Sequence, residues 1–340
     1  MTVTLVDVAR AAGVSIKTAS NVVRAQGKFS EDTAERVRAA IAELGYKPNL
    51  AARGLRSGRV GAISLIVPDI RNPFFSELAA AVIEVADQHE LLVVLEQSGG
   101  EPEAELELLR GRRARLVDGI LFSALALTAG NAELSETVTM PVVLLGEPIA
   151  GWSTDFVTMP NESGARAATE HLLARGRRRI LALGRRTGDL AGPAHLRLRG
   201  YRRALADAGI APDPAFEIDA GLWQRENAAK AVREALLQKT PFDGVVAFND
   251  ALALGAIRAL QDAGLRVPED VDVIGFDDIE EARFNQPTLT TVKVNLAAMA
   301  ASAVRFLLRR LDEGPELRTP VEGFTSEFAI IQRESTQELS

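Results

Sequence analysis

The chain has 340 residues, 47% of them hydrophobic and 25% charged, a globular balance with room for two or three domains that excludes a disordered chain and a small stapled scaffold. It contains no cysteine, so disulfides, thiolate metal sites and a cysteine nucleophile are excluded, and no apolar run approaches the roughly 20 residues that span a bilayer. The formal charge of −7 conceals a split: residues 1–60 carry ten basic and five acidic side chains, net +5, and the remaining 280 carry 29 against 41, net −12.

The opening Met1-Thr2-Val3-Thr4-Leu5-Val6-Asp7 lacks the basic and apolar regions of a signal peptide, so a cytoplasmic protein without a membrane partner is expected. Thr4 with Asp7 reads as a capping box opening a helix over about 5–12, and Gly13 supplies a tight turn. Ser15 is placed to cap a second helix over about 16–23. Ser30 caps a third over about 31–44, ended by Gly45. Ala9 is small where the first two helices would cross, Val14 and Val22 are apolar enough to lock them, and polar side chains project from the start of the second. These are the physical requirements of a helix-turn-helix unit. Residues 48–58 follow as a linker with apolar content for one or two helical turns, too short to be stable alone in water.

From about residue 61, short apolar runs alternate with helical periodicity. Strands are predicted over 62–67, 91–95, 119–122, 142–145, 180–183, 245–248 and 273–276, and helices near 74–89, 101–115, 162–175, 196–208, 224–238 and 250–263. Strands apolar on both faces imply parallel sheets covered by helices on each side. Two such lobes suit the length better than one.

The run from Thr4 to Val23 resembles, along its whole length, the headpiece of the lac, galactose and purine repressor family. The resemblance continues through Leu44-Gly45-Tyr46-Lys47-Pro48-Asn49-Leu50-Ala51-Ala52-Arg53-Gly54-Leu55 and Asn72-Pro73-Phe74-Phe75. It resumes at Phe248-Asn249-Asp250-Ala251-Leu252-Ala253-Leu254-Gly255 and at Val273-Ile274-Gly275-Phe276-Asp277-Asp278. It implies an α/β protein: an all-helical helix-turn-helix headpiece over 1–47, a hinge helix over 48–58, and a two-lobed, periplasmic-binding-protein-like body of parallel sheets over 59–340. The N-terminal lobe is expected from about 59–160 and 291–320, the C-terminal lobe from 161–290 and 321–340. The implied function is a DNA-binding transcription regulator, a repressor, binding a pseudo-palindromic operator with an affinity set by a small effector.

The same resemblance puts Ile16, Lys17 and Asn21 at base edges in the major groove. Lysine donates to guanine acceptors, asparagine pairs with adenine, and isoleucine meets a thymine methyl; the plainer alternative for Ile16 is a place in the trihelical core. Thr18, Ser20, Ser30 and Asn49 suit phosphates, with Thr4 and Ser15 at the helix starts completing the headpiece set. Leu55 matches the leucine that wedges into the minor groove, unless it packs on the body, and Arg53 and Arg56 would hold flanking phosphates.

In the body, Phe74 and Phe75 are implied on one wall of an effector cleft, and Arg197, Trp223, Asn249 and Asp277 on the other. Asp277 accepts hydroxyl hydrogen bonds, Arg197 donates a fork, Asn249 does both and Trp223 offers a flat apolar face. A carbohydrate or glycoside fits this set, and a purine would also be served. Where relatives commonly carry Asp-Asn after the central strand this chain has Pro160-Asn161, so a polar contact is expected to be missing. Gly146-Glu147 leaves open whether Glu147 turns inward.

No cofactor is expected and no enzyme: the phosphate-loop, dinucleotide, nucleophile-elbow and zinc-helix motifs are absent, and His89, His171 and His195 are scattered. A sugar-binding protein without DNA function is the remaining rival. The chain stops soon after Gln332-Arg333-Glu334-Ser335-Thr336 without a leucine heptad tail, so a homodimer is expected.

Overall fold

A computed structural model describes residues 3–23, 27–46, 59–110, 116–127, 138, 140–187, 191–313 and 319–337. The candidate hinge, with Asn49, Arg53, Leu55 and Arg56, lies outside the described residues. The chain divides into two compact units, Met1–Gly61 and Ala62–Ser340.

The first unit holds α1 (Leu5–Ala11), α2 (Ile16–Val23) and α3 (Glu31–Leu44). Each helix begins on a hydroxyl. Thr4 accepts from the Asp7 amide while the Asp7 carboxylate accepts from the Thr4 amide at 2.9 Å, a closed capping box. The hydrogen bonds from Thr4 hold the Asp7 carboxyl below its ordinary range. Ser15 Oγ accepts from the Thr18 amide at 3.0 Å, and Ser30 Oγ from the Thr33 amide at 3.3 Å. Gly13 and Gly45 turn the chain with φ of 65° and 63°, a region costly for any residue with a Cβ. The core is small: Val8, Val22 and Val37 with Ala9, Ala12, Ala19, Ala34 and Ala40. Alanines at the crossings let the helices approach. Full burial of each valine is worth about 1.5–3 kcal/mol.

The second unit holds two six-stranded sheets. The first has the order β11-β5-β4-β3-β1-β2, from β1 (Ala62–Val67), β2 (Leu92–Gln97), β3 (Gly119–Phe122), β4 (Val142–Leu145), β5 (Asp155–Thr158) and β11 (Gly323–Thr325). All its pairings are parallel. The second has the order β12-β10-β9-β8-β6-β7, from β6 (Ile180–Arg185), β7 (Glu217–Asp219), β8 (Gly244–Ala247), β9 (Asp272–Asp277), β10 (Thr290–Val294) and β12 (Phe328–Ile331). Among the described residues only its β10–β12 pairing is antiparallel. The connecting helices are α4 (Pro73–Gln88), α5 (Pro102–Arg110), α6 (Asn161–Ala174), α7 (Pro193–Asp207), α8 (Arg225–Leu237), α9 (Asp250–Asp262) and α10 (Leu296–Glu313). Two glycines bring pairs of them close: a Cβ on Gly200 of α7 would collide with the Glu162 carbonyl of α6, and one on Gly255 of α9 with the Arg225 carbonyl of α8.

The chain passes between the lobes after β5, after β10 and between β11 and β12. The last two crossings lie later than the lobe boundaries expected from sequence, because β10 adds to the second sheet beside β9 and β11 adds to the first beside β5. Strands β5, β7, β10, β11 and β12 and helix α10 carry no prediction. The strands are three to five residues long, and β5 opens on the buried charge of Asp155. That carboxylate takes both arms of Arg310 at 2.8 Å, Arg309 at 2.8 Å and the Glu322 amide at 2.7 Å. Tertiary partners, not local pattern, make β5 a strand.

Candidate functional site

Two surfaces hold the sequence-derived candidates. On α2, Ala19 and Val22 face the core, while Ile16 is 45% exposed and Lys17 is exposed. Exposure of Ile16 removes the core alternative. Thr18, Ser20 and Asn21 are half-buried on the same short helix. The first turn of α2 holds no acidic residue, leaving its positive end open to an anion. Thr4, Ser15 and Ser30 each carry a structural duty as caps, with side chains bonded to Asp7, Thr18 and Thr33 at 2.6, 2.8 and 2.9 Å.

In the body, Phe74, Phe75, Arg197, Trp223, Asn249 and Asp277 all line one cavity of about 580 Å³ between the lobes. The first wall is stiffened by Pro73 at the start of α4, where Asn72 caps the helix by accepting from the Phe74 amide at 3.2 Å. The two phenyl rings then meet edge to face at 5.2 Å. On the second wall Trp223 donates its indole N–H to the Gly184 carbonyl at 2.9 Å and packs its edge on Phe248 at 6.1 Å. Asn249 caps α9, its Oδ1 accepting from the Leu252 amide at 2.8 Å. Cap and cavity wall are thus one residue.

Arg197 is 1% exposed. It donates to Asn161 Oδ1 at 2.7 Å and to the Phe248 carbonyl, and its guanidinium lies 3.6 Å from the Phe276 ring centre and 5.3 Å from that of Trp223. Burial pulls its pKa down to about 10, against the pull of Asp277, Asp250 and Glu147. Asp277 ends β9 with φ of 122°, a strained geometry for a residue with a Cβ. Its carboxyl stands 3.9 Å from Arg197, too far for a hydrogen bond, and receives none from the described residues. Burial pushes its pKa up to about 7; Arg197 opposes the shift and Glu77 adds to it. Beneath it, burial raises the Asp250 carboxyl, which accepts from Thr291 Oγ1 at 2.6 Å and the Ile279 amide at 3.0 Å and so holds the turn after Asp277.

Pro160 is not among the residues that line the cavity, whereas its neighbour Asn161 is. Asn161 lines the cavity and joins Arg197 to Glu147, which turns inward and accepts from Asn161 Nδ2 at 2.8 Å and Thr158 Oγ1 at 2.6 Å. A polar chain therefore runs from β5 through Glu147, Asn161 and Arg197 toward Asp277. Asp69 is another residue missed: it is forked by Arg71 at 2.9 Å twice and takes Gln224 from the opposite lobe at 3.1 Å. Asp69 and Glu147 both follow strands, so the rule that ligands meet the carboxyl ends of parallel strands was the available signal.

Residues 4–49 match the family described as bacterial regulatory proteins, lacI family, and residues 169–336 match the periplasmic binding protein-like domain. The chain is 33% identical over 336 residues to the HTH-type transcriptional regulator RegA of Clostridium saccharobutylicum, covering 99% of this chain and 100% of that protein. The chain belongs to the lacI family. Two solved structures extend the comparison to the whole chain. The lac repressor dimer bound to operator and the anti-inducer ONPF is 30% identical with a TM-score of 0.78, covering 99% of each chain. The complex of the transcriptional regulator CelR with cellobiose is 30% identical with a TM-score of 0.71, covering 98% of this chain and 99% of that one. This lacI-family member is a DNA-binding transcription regulator with a periplasmic-binding-protein-like body, and among its described residues no helix is long and apolar enough to cross a membrane.

Proposed function

We propose that a sugar or glycoside in the inter-lobe cavity sets the affinity of this regulator for its operator. The observation that carries the proposal is Asp277: a buried carboxyl with no hydrogen-bond donor among the described residues, beside Arg197 and opposite an aromatic wall. An ionised carboxylate accepts hydroxyl hydrogen bonds, and Trp223 suits the C–H face of a pyranose. The carboxylates of Asp69 and Glu147 on the same cavity favour a hydroxyl-rich ligand over a purine. The neighbouring cellobiose complex supports the same class.

The work divides among a DNA-binding headpiece over 1–47, a hinge over 48–58 and a sensing body over 59–340. Ile16, Lys17 and Asn21 meet base edges, Thr18, Ser20 and Ser30 meet phosphates with Thr4 and Ser15 holding the helix starts, and the hinge adds Asn49, Arg53, Leu55 and Arg56. Binding is by a homodimer in the cytoplasm, as the lac repressor dimer on its operator supports, and the protein performs no catalysis. A ligand that touches both lobes shifts them only by its differential affinity for their arrangements, and about 1–3 kcal/mol suffices for control. The Glu147–Asn161–Arg197 chain gives that difference a physical route. Calorimetry with a panel of sugars, glycosides and nucleosides tests the proposal. A saccharide that binds and changes operator affinity, with both effects lost in Asp277→Asn while operator binding persists, supports it; a nucleoside as the sole ligand overturns it.

A further inference from the structure

Granted a saccharide in the cavity, we infer that it is an anionic one, carrying a carboxylate or phosphate that docks on Arg186. Among the described residues, six ionisable side chains line the cavity: Asp69, Glu147, Asp277, Arg71, Arg186 and Arg197. Two of the three guanidinium groups are engaged. Arg71 forks Asp69 with two 2.9 Å bonds, and Arg197 is bound to Asn161 and the Phe248 carbonyl. On the acidic side, Glu147 is taken by Thr158 and Asn161. Arg186, directly after β6, forms no hydrogen bond and no ion pair with the described residues, although it is half-buried in the cavity wall.

The acid whose charge it senses is Glu105 of α5, and that acid has no oxygen to spare. Burial raises the Glu105 carboxyl while backbone amides and Arg186 pull it back down. Its oxygens accept from the amides of Leu125, Ala126 and Leu127 at 2.8 to 3.2 Å, fixing the loop on the cavity's other side. Arg186 thus has a counter-charge in Glu105 and no hydrogen-bonding partner among the described residues. A guanidinium offers five N–H donors in a planar fork, and none of those on Arg186 is taken by the described residues. The fork matches carboxylate and phosphate oxygens in pairs, which a sugar hydroxyl does not reproduce. Pro193 and Ala194 of α7 line the same cavity, and the first turn of that 15-residue helix carries no acid, so its positive end adds to the field. In this arrangement the ring hydroxyls meet Asp277 and the anionic substituent meets Arg186.

The test is a set of matched pairs on the full chain, read by thermal shift and then calorimetry. D-glucose, D-galactose and cellobiose are compared with D-glucuronate, D-galacturonate, cellobionate and glucose 6-phosphate. The charged member of at least one pair should bind about tenfold or more tighter than its neutral parent, one charge-assisted fork's worth. Arg186→Gln should bring that ratio to about one, and Arg186→Lys, which keeps the charge and loses the fork, should retain part of it. The carboxylate and phosphate arms identify which anion is used. Neutral parents that bind as tightly as their acids, or a ratio unmoved by Arg186→Gln, overturn the anion and leave the saccharide standing. Silence from every saccharide, charged or neutral, overturns both.

Discussion

The helix caps of the headpiece and the polar links that join remote segments of the body span very different distances along the chain. In the headpiece, Thr4 meets Asp7, Ser15 meets Thr18 and Ser30 meets Thr33, every pair three residues apart. In the body, Arg310 reaches Asp155 and Gln224 reaches Asp69 across 155 residues, and Arg197 reaches Asn161 across 36. The helix starts of the headpiece are therefore set by local rules, around a core of three valines among alanines. The body is built from agreements between remote segments, and its cavity exists only where the strand ends converge. One unit is a three-helix cluster with a single small core; the other has two lobes with a cavity between them.

Breaking a remote agreement should have the largest effect. Asp155→Ala leaves Arg309 and Arg310 facing each other in a buried site without their shared carboxylate, and removal of one partner from such a set costs about 3–5 kcal/mol. The expected outcome is a large fall in the melting temperature of the body by calorimetry. Asp155→Asn, which keeps the shape and some hydrogen bonds, should fall less.

A smaller loss is expected from Val37→Ala in the headpiece, roughly 2 kcal/mol from two buried methyl groups and the cavity left behind. So small a core has little reserve. Operator affinity measured by fluorescence anisotropy should drop with it, while binding of an effector to the body holds. A loss of effector binding would show that the two units are less separable than their local and remote construction implies.

This contrast also explains what was legible in the sequence. All three headpiece helices could be bounded within a residue because caps and glycines lie next to the turns they make, as Ser30 and Gly45 do around α3. In the body, apolar runs such as Val142–Leu145 announced buried parallel strands, but β5 and β11 could not be foreseen, since each becomes a strand by pairing with a segment far along the chain. The site behaved likewise. The six candidate residues come from the resemblance and gather in one cavity, whereas the inward turn of Glu147, left open by the sequence, and the link from it through Asn161 to Arg197 become visible only in the fold. No local motif announces a contact between strand ends.

The pH dependence of the cavity comes next in size. The Asp277 carboxyl has its pKa raised from 3.8 to about 7 in the folded chain. Between those values the folded state holds a proton that the unfolded state has released, so this group makes stability fall as pH rises from about 4 to 7, with no further loss above. Binding runs the other way. A ligand whose hydroxyls donate to Asp277 needs the ionised form, so its affinity should rise through pH 6 and level off above 7, with roughly tenfold loss per unit on the acid side. Calorimetric titrations at pH 6, 7 and 8 check this, and Asp277→Asn should remove the slope along with most of the affinity.

The smallest effect separates two duties held by one headpiece residue. Ser30 caps α3 by accepting from the Thr33 amide, and it is also a candidate phosphate contact. Ser30→Ala removes both and should cost about 1 kcal/mol of stability, so a weaker operator complex from that variant would not say which duty failed. Ser30→Asp keeps an N-cap acceptor and suits the positive end of the helix, but sets a negative charge where a phosphate would lie. Unchanged melting with markedly weaker operator binding, and a shallower dependence on salt, identifies the phosphate contact. If Ser30→Asp binds operator as the parent chain does, Ser30 is a cap alone, and the headpiece meets the backbone through its other polar side chains.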